Sequence, residues 1–279
     1  MSAFRSKFRY KSDAELAAML RPGELTARAL QAVREAIRPG VTTLELDAIA
    51  EATIRAGGGE PNFAKVPGYR HTTCINVNEV VVHGIPGDRV IQAGDIVTVD
   101  CGAEVNGWHA DSAFTVVVPG GSDDAEVAVR EHLSNATEKA MWAGIAAFAN
   151  ARTLNDVGWA VAETIEAAGG LTIIRDYGGH GIGRSMHEDP PVFNYPIRGN
   201  TPEVKPGLAV AIEPIIGNGA EETVVLDDEW TIVTTDNSDA AQWEHTVLRH
   251  HGGIWVSTAL DGGAAGLAPY GVVPVPIQA

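Results

Sequence analysis

An approximate internal repeat constrains this chain more than any other feature. Thr43-Leu44 returns 110 residues later as Thr153-Leu154, and each pair opens a helical segment that ends in a glycine run. Three further pairs follow in the same order along the chain: His83 with His187, Gly94 with Gly207, and Asp100 with Glu213. The repeat predicts two similar halves, each of helices followed by strands, packed as one pseudo-symmetric unit.

The repeat also predicts where a site would lie. Matching residues of two related halves come together near the axis that relates them. A site on that axis would hold one histidine and one acid from each half, which are His83, His187, Asp100 and Glu213.

Hydrophobic periodicity predicts a mixed α+β chain. Apolar residues three and four positions apart favour helices at about 24–37, 43–56, 124–149 and 153–168. Short β-branched runs favour strands at IVTVD (96–100), AFTVVV (113–118), LAVAIE (208–213) and HTVL (245–248).

Charge and cysteine content narrow the function classes. The 279 residues include 20 Lys and Arg against 36 Asp and Glu, a formal charge of −16, which disfavours DNA and RNA as main partners. Two cysteines are too few for a disulfide framework, and no run of 18 apolar residues suggests a membrane span. We expect a cytoplasmic protein that does not bind a membrane.

A predicted hairpin brings two acids together. Asn106-Gly107 between strand-like runs favours a two-residue turn, which places residue 105 opposite 108 and residue 102 opposite 111. Asp100 then shares a face with Asp111, roughly 7 Å away across the strands. A lone Asp here would usually be a solvated strand-end residue, but two on one face favour a metal ion.

Further candidate ligands stand in strand-like or glycine-rich contexts. His180 lies in the run GGHGIG, Glu213 ends an apolar strand before Pro214, and Glu244 begins another after Trp243. A phosphate-binding loop is the rival interpretation of the glycines, although their spacing is not GxGxxG and no P-loop lysine follows. For each Glu alone, the alternative is an exposed strand end.

Taken together, these groups favour a two-metal hydrolase. Four carboxylates in one cavity would raise one another's pKa values unless cations neutralised them. With one histidine nitrogen, the set suits two ions of Mn, Fe(II), Co or Zn, which activate water for hydrolysis. Neither cysteine has a partner at zinc-finger spacing, so structural zinc is disfavoured.

Five segments carry a resemblance to a known family. They are VVVHGIPG (80–87), VDCGAEVNGWHADSAFTV (99–116), GGHGIGRSMHEDPPV (178–192), AIEP (211–214) and QWEHTV (242–247). In this order, from about residue 13 to 258, the chain resembles the bacterial type I methionine aminopeptidases. The resemblance implies their duplicated pita-bread fold, an antiparallel sheet core covered by helices.

The resemblance also implies a role for each residue. Asp111 and Glu244 would bridge two ions, Asp100 would chelate one of them, and His180 and Glu213 would bind the other. Glu213 would also carry the proton. His187 would bind the scissile carbonyl oxygen and His83 the peptide backbone.

A methionine pocket is implied as well. Its wall would include Tyr69, Cys74, Met186 and Trp230. Val66 and Pro67 stand where many relatives have Tyr and His, and Met186 stands where several have Phe. Smaller or softer side chains in the wall would widen the pocket, so that it could accept other unbranched side chains. Loss of one aromatic residue from such a wall usually costs only about 1–3 kcal/mol of discrimination between substrates.

We divide the chain into three parts. Residues 1–12 form a basic N-terminal arm, 13–258 a single catalytic domain, and 259–279 a Gly-, Ala-, Pro- and Val-rich tail appended to it. The composition of the tail disfavours helix and central strand. For the arm, loose packing is one interpretation, and contact with an acidic or RNA partner, such as the ribosome, is the other. The resemblance allows a monovalent cation near Asn78, and we expect a monomer.

Three functions compete. The first is a dinuclear metalloaminopeptidase that removes the initiator methionine from nascent proteins with a small second residue. The second is a proline-directed relative, an Xaa-Pro aminopeptidase or prolidase, which usually carries a further N-terminal domain. The third is a non-catalytic binder of nascent chains or RNA on the same fold, although such proteins typically lose metal ligands.

Overall fold

A computed structural model describes residues 9–278. Helices α1 to α6 are Asp13–Ala18, Leu20–Ala36, Thr43–Ala56, Asp124–Asn150, Asn155–Ala168 and Ala264–Leu267. Strands β1 to β8 are Glu60–Pro61, Thr73–Val77, Val80–Val82, Ile96–Val105, Trp108–Val117, Thr172–Ile173, Gly179–Gly181 and Glu188–Val192. Strands β9 to β15 are Leu208–Ile212, Ile215–Gly217, Thr223–Val225, Ile232–Thr234, Ala240–Gln242, Glu244–His250 and Gly253–Val256.

One antiparallel sheet of nine strands organises the molecule. Its order is β1-β4-β5-β14-β9-β7-β8, with β2 also paired to β4 and β15 to β14. Smaller sheets, β13-β10-β6 and β11-β12-β3, complete the strand structure. Strands from the first half of the chain therefore meet strands from the second half at β5 and β14, as the repeat predicts.

Local sequence accounts for the helix boundaries. Thr42 and Glu45 form a reciprocal capping box at the start of α3, and Gly169, at φ 72°, follows the last residue of α5. The second helix begins at Leu20, four residues before the predicted start, even though Pro22 lies in its first turn. Proline is tolerated there because the first-turn N–H groups have no helical partner.

The β4–β5 hairpin has the predicted register. Asn106 and Gly107 both have positive φ angles, of 53° and 73°, as a type I′ turn requires. Val105 pairs with Trp108 and Gly102 with Asp111. Asp100 and Asp111 consequently share one face of the hairpin.

The predicted tail is integral to the domain, which corrects the expectation of an appended segment. Its residues form α6, and Leu267 is fully buried in the main core. Farther along, the Val275 N–H donates to the Ile254 carbonyl oxygen at 2.9 Å, and Ile277 joins a smaller core cluster. Burial of apolar side chains therefore holds this segment in place, although its residues have low helix and strand propensities.

The predicted N-terminal arm is described only from residue 9. Lys11 pairs with Glu188 at 2.9 Å, and its N–H donates to the Gly207 carbonyl oxygen at 2.7 Å. The start of the described chain is thus attached to elements of the second half. The basic residues Arg5 and Lys7 lie outside the described residues.

Candidate metal centre and active site

A cavity of about 360 Å³ lies on one face of the large sheet, at the junction of the two halves. It contains the eleven residues predicted to bind metal, act in catalysis or form the pocket wall, whereas Pro67 does not line it. Its lining includes Tyr69, Cys74, His83, Asp100, Asp111, His180, Met186, His187, Glu213, Trp230 and Glu244.

Strand alternation directs the acids into this cavity. Asp100 and Asp111 come from the β4–β5 hairpin, and Glu244 opens β14 opposite Ala113. Glu213 directly follows β9, where the side-chain amide of Asn194 donates to its carbonyl oxygen at 2.9 Å. Neighbouring strands thus supply carboxylates from both halves.

Glycines on each side of His180 allow its strand to fit between β8 and β9. A Cβ atom on Gly179 would lie 2.3 Å from the Ala211 carbonyl oxygen, and one on Gly181 would lie 2.3 Å from that of Asp189. The Nδ1 atom of His180 lies 2.9 Å from the Gly181 carbonyl oxygen. When Nδ1 carries the proton of that hydrogen bond, Nε2 keeps a lone pair for a ligand.

The Nε2 atom of His180 is directed at two carboxylates. It lies 3.5 Å from Glu213 Oε1 and 3.9 Å from Glu244 Oε1. Burial lowers the pKa of His180 to about 3, so the ring is neutral near pH 7. A neutral imidazole is the form that binds a metal ion.

The acids share their burial without any basic side chain to balance them. Among the described residues that line the cavity there is no Lys or Arg. Burial raises the pKa of Asp100 to about 7 and that of Glu213 to about 8. Burial, with the neighbouring carboxylates, raises the pKa values of Asp111 and Glu244 well above the ordinary range.

This group of residues fits a divalent metal ion. One ligand atom each from Asp111, His180 and Glu244 lie within 4.8 Å of one another. In the part of the chain that the structure describes, Asp100 Oδ1 and Glu244 Oε1 are buried without a hydrogen-bond partner. Buried carboxylate oxygens of this kind are expensive unless a cation binds them.

Two more histidines line the same cavity. The ring centroids of His187 and His180 are 4.2 Å apart, and the His83 ring lies 6.4 Å from those of Tyr177 and Trp230. Burial lowers the pKa values of His83 and His187. Both rings are therefore neutral near pH 7, and each can donate one N–H to a bound molecule.

An apolar pocket forms one end of the cavity. Phe63, Tyr69 and Cys74 are buried as one cluster, with Val66, Met186 and Trp230 packed against it. The Tyr69 and Trp230 rings are 5.1 Å apart. The Tyr69 hydroxyl donates to the Thr73 carbonyl oxygen at 2.7 Å, so its only polar atom is satisfied away from the pocket.

Comparison with known proteins identifies the family. The family model described as metallopeptidase family M24 matches residues 17–250. The chain belongs to the M24 metallopeptidases. Methionine aminopeptidase 1 of Mycobacterium tuberculosis is 45% identical over 243 residues, which cover 85% of this chain and 90% of that protein.

Solved structures place this M24 chain on the predicted fold. A methionine aminopeptidase from Thermotoga maritima superposes with a TM-score of 0.83 at 37% identity, covering 90% of this chain and 98% of that one. A prolidase from Pyrococcus furiosus shares the fold, with a TM-score of 0.65 at 24% identity, covering 90% of this chain and 65% of that one. The predicted pita-bread architecture and the metallo-exopeptidase class of the methionine aminopeptidases are both confirmed.

Gln242 is a polar neighbour of the acids in the M24 site that the sequence did not predict. The Nε2 atom of Gln242 donates to Glu213 Oε2 at 3.1 Å and lies 3.4 Å from Glu244 Oε2. Period-two alternation with Glu244 could have placed it on the same face. Phe63, Val82, Asp176, Tyr177, Gly178 and Ile215 also line the cavity without having been predicted to do so.

Two other predictions can be located in the M24 chain. Asn78 lies outside the cavity, where its side chain donates to Asp95 and accepts from the Ile96 N–H. The monovalent-cation site there stays a prediction. No helix among residues 9–278 is long and apolar enough to cross a membrane.

Proposed function

We propose that this protein removes the N-terminal methionine from newly made cytoplasmic proteins whose second residue is small. The observation that carries the proposal is one cavity in which the acids and His180 adjoin an apolar pocket. The relatives named methionine aminopeptidase support it. The proposal treats the protein as a monomer whose site residues all lie within residues 13–258.

Five side chains would hold two divalent ions: Asp100, Asp111, His180, Glu213 and Glu244. When bound, such ions polarise a carbonyl and lower the pKa of water, so that hydrolysis proceeds near neutral pH. The donors are mostly carboxylate oxygens, which suits Mn, Fe(II), Co or Zn.

The remaining roles belong to side chains of the cavity. The apolar pocket, with Tyr69, Cys74, Met186 and Trp230 in its wall, would hold the methionine side chain. Glu213 would take a proton from the attacking water and deliver it to the leaving amine. Neutral His187 would donate its N–H to the carbonyl oxygen, and His83 would contact the peptide backbone.

The test is release of free methionine by protein stripped of metal and reloaded separately with Mn, Fe(II), Co or Zn. We expect cleavage of Met-Gly-Met peptides with at least one metal and none of Xaa-Pro peptides. An Asp111→Asn variant treated in the same way is the control for contaminating peptidases. Cleavage only before proline would transfer the assignment to the proline-directed relatives, and inactivity with every metal would favour a binding protein.

A further inference from the structure

The join between the two halves of the large sheet has few main-chain pairs. Strands β5 and β14 share only the pairs Glu244 with Ala113 and His245 with Ser112. By contrast, β14 makes five pairs with β9, and β4 makes ten with β5. Since Asp111 lies on β5 and Glu244 on β14, their separation depends on this short ladder.

A threonine hydroxyl continues the join at one end. Extending the register places Thr246 opposite Asp111. The Thr246 Oγ1 accepts from the Asp111 N–H at 3.0 Å and donates to the Asp111 carbonyl oxygen at 2.8 Å. One hydroxyl thereby satisfies both main-chain groups of a candidate metal ligand, and Thr246 is fully buried.

A second threonine makes the reciprocal arrangement at the other end. The same register places Thr115 of β5 opposite Gln242. The Thr115 Oγ1 donates to the Gln242 carbonyl oxygen at 2.6 Å and accepts from its N–H at 3.2 Å. Gln242 is the residue whose amide contacts Glu213 and Glu244.

A serine strengthens the middle of the join from the opposite face. The Ser112 Oγ donates to the Glu244 carbonyl oxygen at 2.6 Å. Ser112 and His245 line a separate cavity, whereas their neighbours Asp111 and Glu244 line the catalytic one. We call Ser112, Thr115 and Thr246 the hydroxyl seam.

We propose that the hydroxyl seam positions the metal-binding carboxylates, and that Thr246 is its main positioning residue. Each seam hydroxyl fixes the backbone of a residue whose side chain enters the site. The seam therefore sets the distance between Asp111 of one half and Glu244 of the other. This inference rests on the proposed metal site and not on which peptide is cleaved.

The test measures the dissociation constant of Mn²⁺ by isothermal titration calorimetry on the full chain at pH 7.5, together with the unfolding temperature. Thr246→Val keeps the shape but loses the hydroxyl, and we expect its dissociation constant to rise at least about tenfold. Thr246→Ser restores the hydroxyl, and its dissociation constant should stay within about threefold of the unaltered value.

Thr137→Val is the matched control. Thr137 is fully buried in α4, and its hydroxyl donates to the Leu133 carbonyl oxygen at 2.8 Å, away from the site. This variant should unfold at a lower temperature but bind Mn²⁺ normally. If Thr246→Val does not fold, Thr115→Val and Ser112→Ala take its place, with the same weakening expected.

An unchanged dissociation constant in the folded seam variants would overturn the proposal, even if they melted earlier. Failure of the unaltered protein to bind Mn²⁺ would also overturn it. Normal Mn²⁺ binding without methionine release would refute only the proposed function, so the two failures are distinguishable.

Discussion

Burial keeps protons on the acids of the cavity in the metal-free protein. Burial raises the pKa of Asp100 from 3.8 to about 7 and that of Glu213 from 4.5 to about 8. In the unfolded chain both acids lose their protons near pH 4. Between these limits the folded, metal-free protein binds more protons than the unfolded chain.

The stability of the metal-free protein should therefore fall as pH rises. Because the folded state holds the extra protons, the free energy of unfolding declines through the raised pKa values, most clearly from pH 6.5 to 8.5. The histidines, whose folded pKa values are lowered, contribute their dependence at lower pH. We expect the unfolding temperature in EDTA to drop over this range and excess Mn²⁺ to remove most of the drop. A temperature that rises with pH in EDTA would contradict the assignment.

His187 tests the division between binding metal and acting on substrate. If its neutral ring has the proposed role of donating a hydrogen bond to the substrate carbonyl, His187→Ala should lower kcat at least about tenfold and leave the metal content unchanged. Peptide kinetics and elemental analysis on the same preparation measure both quantities. Simultaneous loss of metal would show that His187 supports a ligand instead.

At the residue scale, the candidate metal ligands were easier to predict than the uncharged side chains that contact them. The sequence predicts Asp100, Asp111, Glu213 and Glu244 because unpaired acids on apolar strands require an explanation, and His180 because it stands in a glycine-rich run. Gln242 carries no charge and no unusual spacing, so its contact with two of these acids appears only when β13 and β14 are placed. The hydroxyls of Thr115 and Thr246 escaped notice for the same reason.

At the scale of elements, the strand that carries His180 depends on its glycines. Gly179→Ala would place a methyl group 2.3 Å from the Ala211 carbonyl oxygen, so β7 must shift away from β9. We expect a lower unfolding temperature and weaker metal binding, measured by thermal denaturation and calorimetry. Gly87→Ala is the control, since a Cβ there meets nothing within 4 Å. Equal behaviour of the two variants would contradict the packing argument.

Elements held by local interactions were predicted best. The β4–β5 hairpin follows from Asn106-Gly107, and the helices α3 and α4 from their periodicity. The small sheet β11-β12-β3 was not predicted, because β3 and β12 lie about 150 residues apart in sequence and pair through the tertiary fold. Propensity alone carries no information on such pairings.

At the scale of the whole molecule, the C-terminal segment should contribute to global stability. Leu267 is fully buried in the main core, so Leu267→Ala should reduce the free energy of unfolding by about 2–5 kcal/mol in urea denaturation. Leu260 in the same segment is 55% exposed, and Leu260→Ala should have little effect. A negligible effect of Leu267→Ala would restore the interpretation of an appended tail.

The global arrangement was predictable because duplication leaves a trace in the order of motifs. The matched pairs Thr43 with Thr153, His83 with His187, Gly94 with Gly207 and Asp100 with Glu213 occur in one order, and this order predicts two halves around one site. The docking of residues 259–278 left no such trace, since Leu267 and Ile277 stand among small residues and prolines without period. Leu267 and Ile277 are buried because they pack against core residues from earlier parts of the chain.

The join at β5 and β14 has a consequence for how the chain could be divided. A cut in the loop between β5 and α4 would leave Asp100 and Asp111 on one fragment, and His180, Glu213 and Glu244 on the other. Neither fragment would carry all five proposed metal ligands, so we expect turnover only after the fragments reassociate. The two halves of the chain would then behave as two different subunits, and recovery of activity on mixing would measure the association of the fragments.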